Sequence, residues 1–262
     1  MNVVLRNFVS LASEGAFGCN NAIMPMSDFK WEILYKLSLH EDVTPYVWRG
    51  VLNHEDDKFT NIPPKVKSLL GKTPFNNQDE LMSSFDITDI ETQKLSYIVK
   101  KYTLKDIVYK EKHSIDTSKI SLDFLSLILQ NTNIILRNGI RMRGIIEIGL
   151  FLRNKGQLVD FIKIESWLHK LKLRRMASLQ ASVLIDMFSF GNDEFPYIRK
   201  FDKKGKIMTT KSLERVIKAN KLDRTFNKYS IVNFIKFYKY SHSEALCKTF
   251  STLTHGLSEI EE

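Results

Sequence analysis

Helical periodicity is the feature that most constrains what this chain of 262 residues can fold into. Through most of its length, apolar residues recur three and four positions apart, which is the spacing of a helix with one buried face. Hydrophobic residues make up 43% of the sequence and charged residues 26%, close to the averages of soluble globular proteins. The chain can therefore bury a substantial core, and wholesale disorder is not expected.

The first half of the sequence predicts four helices. Residues 28–39 place Trp31, Leu34 and Ser38 in one row. Further helices are predicted over 43–52 and over 62–70. Residues 71–86 have the composition of a connection, and we place a hinge there. Thr88 and Glu91 form a capping-box pattern, which predicts that a long helix begins there and continues to residue 112. The residues predicted on its buried face are Leu95, Ile98, Val99 and Tyr102.

The second half carries the most strongly apolar helices. We predict helices over 120–138, 141–153, 161–170 and 173–188, the first ended by Gly139, the second by Gly156 and the last by Gly191. The last of these is apolar on most faces, which indicates a place in the middle of a bundle. The predicted fold is all-α, a helical bundle of roughly eight to ten helices. We predict an N-terminal helical region at 1–75 and a C-terminal bundle at 76–262; the alternative is one continuous domain.

A basic segment at 199–240 is the strongest sign of a partner. It holds thirteen Lys and Arg residues against three acids, while the whole chain has a formal net charge of +9. Aromatic residues lie between the cations, an arrangement that suits phosphate contacts combined with base stacking. The alternative is a merely basic surface on a helix packed against the core. As candidate polyanion-binding residues we select Lys203, Lys204, Lys206, Lys211, Arg215 and Lys218.

No catalytic or metal-binding motif is recognisable in the sequence. It has no phosphate-binding glycine-rich loop, no pair of histidines at metal-ligand spacing and no nucleophile elbow. Asp86 and Asp89 are the nearest carboxylate pair, and we interpret them as acids at a helix start. His54 precedes a run of acids, Glu55 to Asp57, which we interpret as a solvated surface. We therefore predict no catalytic residue, no metal and no cofactor.

The sequence also bears on location. Its two cysteines, Cys19 and Cys247, lie at opposite ends and indicate neither a disulfide framework nor a zinc site. The start of the chain lacks the features of a signal peptide, and no apolar stretch reaches the ~20 residues of a membrane span. We expect a cytoplasmic protein with no membrane partner.

Several segments resemble the helical flanks of an uncharacterised family of bacterial nucleotidyltransferase-like proteins. The segments are residues 8–18, 28–38 and 62–64 near the start, 138–148 in the middle, and 191–196 and 234–246 near the end. The metal motif and the sheet of that family have no counterpart between Ile62 and Leu122. The resemblance implies a relative that lacks the catalytic core.

One pair of residues matches the family by position, namely Arg143 and Glu147. They are four apart on one helix face, so we interpret them as a structural ion pair. Three functional hypotheses follow. The first is a non-catalytic binding or adaptor protein with a protein partner. The second is a degenerate nucleotidyltransferase, and the third is a nucleic-acid or polyanion-binding module that uses the basic segment.

Overall fold

The computed structural model describes residues 2–54, 60–72, 98–219, 237 and 240. Within these ranges the chain forms helices and no β-strand, so the predicted all-α fold is confirmed. The helices, in chain order, are α1 (Val3–Phe17), α2 (Asp28–His40), α3 (Thr44–Leu52), α4 (Pro64–Gly71), α5 (Ile98–Lys112), α6 (Lys119–Asn138), α7 (Met142–Lys155), α8 (Phe161–Lys170), α9 (Arg174–Phe188) and α10 (Gly205–Ala219). No helix in the described ranges is long and apolar enough to cross a membrane.

The helices form two groups that share one hydrophobic core. Helices α1 to α4 contact one another, and α6 to α10 form the second group around α9. Helix α1 contacts α7, α9 and α10, and α2 contacts α10, so the buried apolar residues of both groups belong to a single cluster. The boundary predicted between residues 75 and 76 lies outside the described residues and stays a prediction.

Helix α1 is not among the helices predicted from the periodicity of the sequence. It begins with Asn2, whose side-chain oxygen accepts a hydrogen bond from the Val4 amide at 3.1 Å. It crosses α3 so closely that a Cβ added to Gly50 would lie 2.2 Å from the Leu11 carbonyl oxygen. Most of its residues are buried, polar ones such as Asn7 and Glu14 included. Burial on nearly every side obscures the amphipathic stripe by which helices are recognised.

Most predicted helix boundaries agree with the structure within two residues, and two details are wrong. Tyr102, predicted on the buried face of α5, is 68% exposed, whereas Leu104, Ile107 and Val108 of that helix are buried. Helix α9 ends at Phe188 as predicted, but the residue that ends it is Ser189 and not Gly191: Ser189 adopts the left-handed conformation (φ 58°), and the Phe190 amide then donates to the Leu184 carbonyl. This turn lets Phe190 enter the core.

Several sequence predictions fall on residues outside the described ranges. They are the capping box of Thr88 and Glu91, the carboxylates of Asp86 and Asp89, the acids Glu55 to Asp57, and Cys247. Residues 73–86 of the predicted hinge, Leu95 and the side chains of Ile98 and Val99, and residues 220–236 of the basic segment lie outside them too. These stay predictions.

Candidate anion-binding cleft

Two serines on α9 position the loop at 197–204, which begins the basic segment. Ser178 Oγ donates to the Lys200 carbonyl at 2.6 Å. Ser182 Oγ accepts from the Asp202 amide at 2.7 Å and donates to the Ser178 carbonyl at 2.7 Å. Because the two serines are four residues apart, they lie on one helix face and hold the loop at two points.

Asp202 then fixes the start of α10. Its side-chain oxygen Oδ1 accepts from the Lys204 amide at 2.8 Å. The following residue, Gly205, lies so near α9 that an added Cβ would be 3.2 Å from Ser182 Cβ and 3.3 Å from the Leu179 carbonyl oxygen. The loop and the first turn of α10 are thereby held against α9.

A cleft of about 560 Å³ lies between this loop and the start of α9. Such a volume is typical of sites for small ligands or for part of a larger one. The cleft combines cationic side chains with apolar and aromatic ones, and we call it the basic cleft; it is lined by Arg174, Arg175, Ser178, Tyr197, Ile198, Arg199, Lys200, Phe201, Asp202, Lys203, Lys204 and Tyr240.

Positive charge dominates the described lining of the basic cleft, which holds six Lys and Arg side chains and one carboxylate, that of Asp202. Two of the cations are partly neutralised from outside the lining, since Glu165 Oε1 lies 2.9 Å from Arg174 Nη2 and 2.6 Å from Arg199 Nε. Arg199 remains 78% exposed despite this contact, and Lys200, Lys203 and Lys204 are also exposed. The basic cleft therefore presents a positive surface to solvent.

The phenol groups add no negative charge to this surface. Burial raises the pKa of Tyr240 well above its ordinary value, and a hydrogen bond to the Asp202 carboxylate raises it further. Burial alone raises the pKa of Tyr197. Both phenols therefore stay protonated at neutral pH, and Asp202 has its carboxylate engaged within the protein by Lys204 and Tyr240. An anion entering the basic cleft would therefore compete with Glu165 for Arg174 and Arg199, whereas the Asp202 carboxylate is already engaged within the protein.

The structure brings together some of the predicted polyanion-binding residues and separates others. Lys203 and Lys204 line the basic cleft. Lys211, Arg215 and Lys218 are exposed on α10, at spacings of four and three residues that place them on one helix face. Lys206 is exposed as well, but the helical repeat puts it about 140° around α10 from Lys211.

Sequence reasoning missed two of the cations that line the basic cleft, Arg174 and Arg175. The signal was present as the run Lys-Leu-Lys-Leu-Arg-Arg at 170–175, which lies outside the segment 199–240. The Ser178 and Ser182 hydrogen bonds bring the two basic stretches together. Nothing in the local pattern indicates that contact.

The family-matched pair Arg143 and Glu147 lies at a separate place, at the start of α7. Arg143 Nε donates to Glu147 Oε1 at 2.8 Å, and Arg143 also pairs with Asp42 in the turn between α2 and α3. Glu147 is largely buried, and this burial raises its pKa despite the neighbouring guanidinium. The buried Tyr46, whose pKa is raised to about 12 by burial, is influenced by the same charges.

Neighbouring residues bind the same turn to α7. The carboxylate of Glu41, which is 2% exposed, accepts from the Met142 amide at 2.9 Å, and Arg141 donates to the His40 carbonyl at 2.8 Å. These contacts connect the turn after α2 to the first turn of α7 across about one hundred residues of sequence. Their structural role remains our interpretation.

His54 has an internal partner. Its Nε2 lies 2.8 Å from Glu14 Oε2 on α1, and the exposed fractions of the two side chains are 12% and 7%. Among the residues that the structure describes, no three His, Cys, Asp or Glu side chains are grouped as metal ligands would be.

The chain was compared with protein-family models, with curated proteins and with solved structures, and none of them matches it.

Proposed function

We propose that this protein is a polyanion-binding module that takes nucleic acid in the basic cleft. The observation that carries the proposal is the charge of that cleft: among its described lining residues are six cations, of which Arg174 and Arg199 share Glu165, and one carboxylate, which is engaged within the protein. Phosphate groups are recognised by Lys and Arg side chains, and unpaired bases are recognised by apolar and aromatic surfaces. Both kinds of surface are present in the basic cleft, through Lys200 and Lys203 on one hand and Ile198 and Phe201 on the other.

The test is the salt dependence of binding to a labelled single-stranded oligonucleotide, measured by fluorescence anisotropy between 50 and 200 mM salt. The variant is Lys200→Gln with Lys203→Gln, because both side chains are exposed and neither forms an ion pair within the described part of the chain. Each phosphate contact on a single strand contributes about 0.7 to the slope of log K against log salt. We expect the variant to bind more weakly and to lower the slope by about 1.4.

The matched control is Lys105→Gln on α5 with Lys119→Gln on α6, which removes the same charge from exposed positions elsewhere. It should keep the wild-type slope. An equal loss in both variants would mean that only the net charge attracts the ligand. Absence of binding by the wild-type protein at low salt would refute the proposed function.

We also propose, as a second function, the adaptor role with a protein partner. Three apolar side chains support it, since Ile115, Leu158 and Ile162 are 109%, 62% and 84% exposed. Lys163, next to Ile162, donates to the carbonyl of Asp116, next to Ile115, so those two segments are neighbours. A contiguous exposed apolar patch is typical of a protein contact, and the proposal requires that these three side chains belong to one.

A photo-crosslinking residue placed in cells at position 115 or 162 tests the adaptor role. A specific partner should be captured from both positions but not from the exposed position 105 on α5. Equal capture from all three positions would contradict it.

The other hypotheses remain proposals. A core-lacking relative of nucleotidyltransferase-like proteins could have kept a nucleic-acid or nucleotide surface, which suits the basic cleft. The degenerate-transferase hypothesis predicts thermal stabilisation that requires both a nucleotide and a divalent metal, and a cytoplasmic location stays a prediction.

A further inference from the structure

The exposed face of α10 continues the positive surface of the basic cleft. Lys204 lines the basic cleft and directly precedes the first residue of α10. Successive residues of a helix are rotated by about 100° about its axis. Viewed along the axis of α10, Lys211, Arg215 and Lys218 therefore lie within about 40° of Lys204. All four side chains are exposed. We call these four residues the α10 row.

The α10 row is long in comparison with the cleft. From Lys204 to Lys218 the helix rises about 21 Å, at 1.5 Å per residue. A stacked nucleic-acid strand advances about 3.4 Å per nucleotide, so the row spans about six nucleotides. A free nucleotide held in the basic cleft would not extend along the row as far as Lys218, about 21 Å away.

We propose that the ligand is a single-stranded nucleic acid longer than the basic cleft, which leaves the cleft past Lys204 and follows the α10 row. This inference rests on the proposed function. A single strand is favoured over a duplex because a cleft of about 560 Å³ is too small for paired strands. Its apolar lining includes Phe201, which is partly exposed and suits the face of an unpaired base.

The acid on α10 gives this proposal an additional test. Glu214 lies about 40° around the helix from Lys218, at the edge of the α10 row. Its carboxylate would repel a phosphate backbone that follows the row. Glu214→Gln should therefore strengthen binding of a long strand and leave binding of a short one unchanged.

The main experiment compares oligonucleotides of four and twelve nucleotides, single-stranded and of the same composition, with a twelve-base-pair duplex. The variant removes Lys211, Arg215 and Lys218 together by substitution with Gln. It should weaken binding of the twelve-nucleotide strand at least tenfold and alter binding of the four-nucleotide strand less than twofold. For each strand, the variant is compared with the wild-type protein. The two strands are not compared with each other, because a longer strand gains affinity merely by offering more overlapping positions at which it can bind.

Two controls separate location from charge. Lys206→Gln removes an exposed cation from another face of α10, and substitution of Lys105, Lys110 and Lys119 by Gln removes three exposed charges from α5 and α6. Neither should reproduce the length-dependent loss. Because all these side chains are exposed, the thermal unfolding midpoint should stay at the wild-type value in every variant.

The outcomes distinguish this inference from the proposed function. One outcome is that the α10 variant leaves binding of the twelve-nucleotide strand unaffected while Lys200→Gln with Lys203→Gln still weakens binding of both strands. In that case the proposed path along the α10 row is refuted and binding in the basic cleft is retained. The path along the α10 row is also refuted if the α10 variant weakens binding of both strands equally, or if the duplex binds as tightly as the single strand. If no strand binds the wild-type protein, the proposed function fails first.

Discussion

The close crossing of α1 and α3 gives a prediction whose magnitude follows from the structure. A Cβ at position 50 would lie 2.2 Å from the Leu11 carbonyl oxygen and 2.9 Å from its carbonyl carbon. Contacts shorter than 3.0 Å essentially never occur for a real Cβ, so one backbone would have to retreat by about 0.8 Å. Both contacts are to backbone of α1, so no side chain can rotate away to relieve them.

The expected free-energy change of Gly50→Ala has two parts. Overpacking of a close contact costs about 3 kcal/mol at the upper end of its usual range. The gain in helix propensity from Gly to Ala offsets about 1 kcal/mol of this. We therefore expect a net loss of about 2 kcal/mol, which in a chain of this size lowers the thermal midpoint by roughly 4–8 °C.

The assay is urea unfolding followed by circular dichroism, with Gly156→Ala as the control. At Gly156 the nearest atoms to an added Cβ belong to Leu152 at 3.9 Å, and the backbone is already helical (φ −57°). That substitution should stabilise the protein by about 0.4–1 kcal/mol. If Gly50→Ala proves as stable as the wild-type protein, the close crossing of α1 and α3 is wrong.

Three further stability predictions concern ionisable groups. Arg143→Met removes the partner that lowers the pKa of the buried Glu147, so that pKa should rise further above its ordinary value. An acid whose pKa is raised by folding binds its proton more tightly in the folded state. The free energy of unfolding should therefore fall as pH rises from the ordinary pKa of a glutamate through the raised pKa of Glu147. The variant should therefore lose about 1–3 kcal/mol in urea unfolding at pH 7 and clearly less at pH 4.5, and equal losses would contradict the account. His54→Ala leaves the buried carboxylate of Glu14 without its 2.8 Å partner and should cost about 1–3 kcal/mol at pH 7. An unchanged urea midpoint would refute the buried pair. Lys65→Ala removes an ion pair at the surface and should leave the urea midpoint unchanged, whereas a measurable loss would show that exposed pairs matter here.

Local patterns predicted the helices, because helix formation depends on residues three and four positions apart. Helix α8 begins and ends at the predicted residues, and Gly139 ends α6 with φ 85° as expected of a glycine stop. The ion pair of Arg143 with Glu147 is present at the predicted spacing. Such features need no knowledge of the rest of the chain.

The features that the sequence did not predict depend on contacts between distant residues. The partnership of Arg143 with Asp42 joins positions 101 residues apart, and no periodicity reports it. The basic cleft likewise arises because Ser178 and Ser182 hold the loop of a basic segment beside Arg174 and Arg175. The sequence indicated a basic segment, whereas the arrangement of its cations required the fold.

The most direct test of the central claim is to map where a single strand touches the protein. A twelve-nucleotide RNA carrying 4-thiouridine would be cross-linked to the wild-type protein by ultraviolet light, and the modified peptides identified by mass spectrometry. We predict cross-links within 197–204, at Phe201 above all, and their loss in the variant Lys200→Gln with Lys203→Gln. Cross-links confined to helices away from the basic cleft, such as α5, would contradict the account.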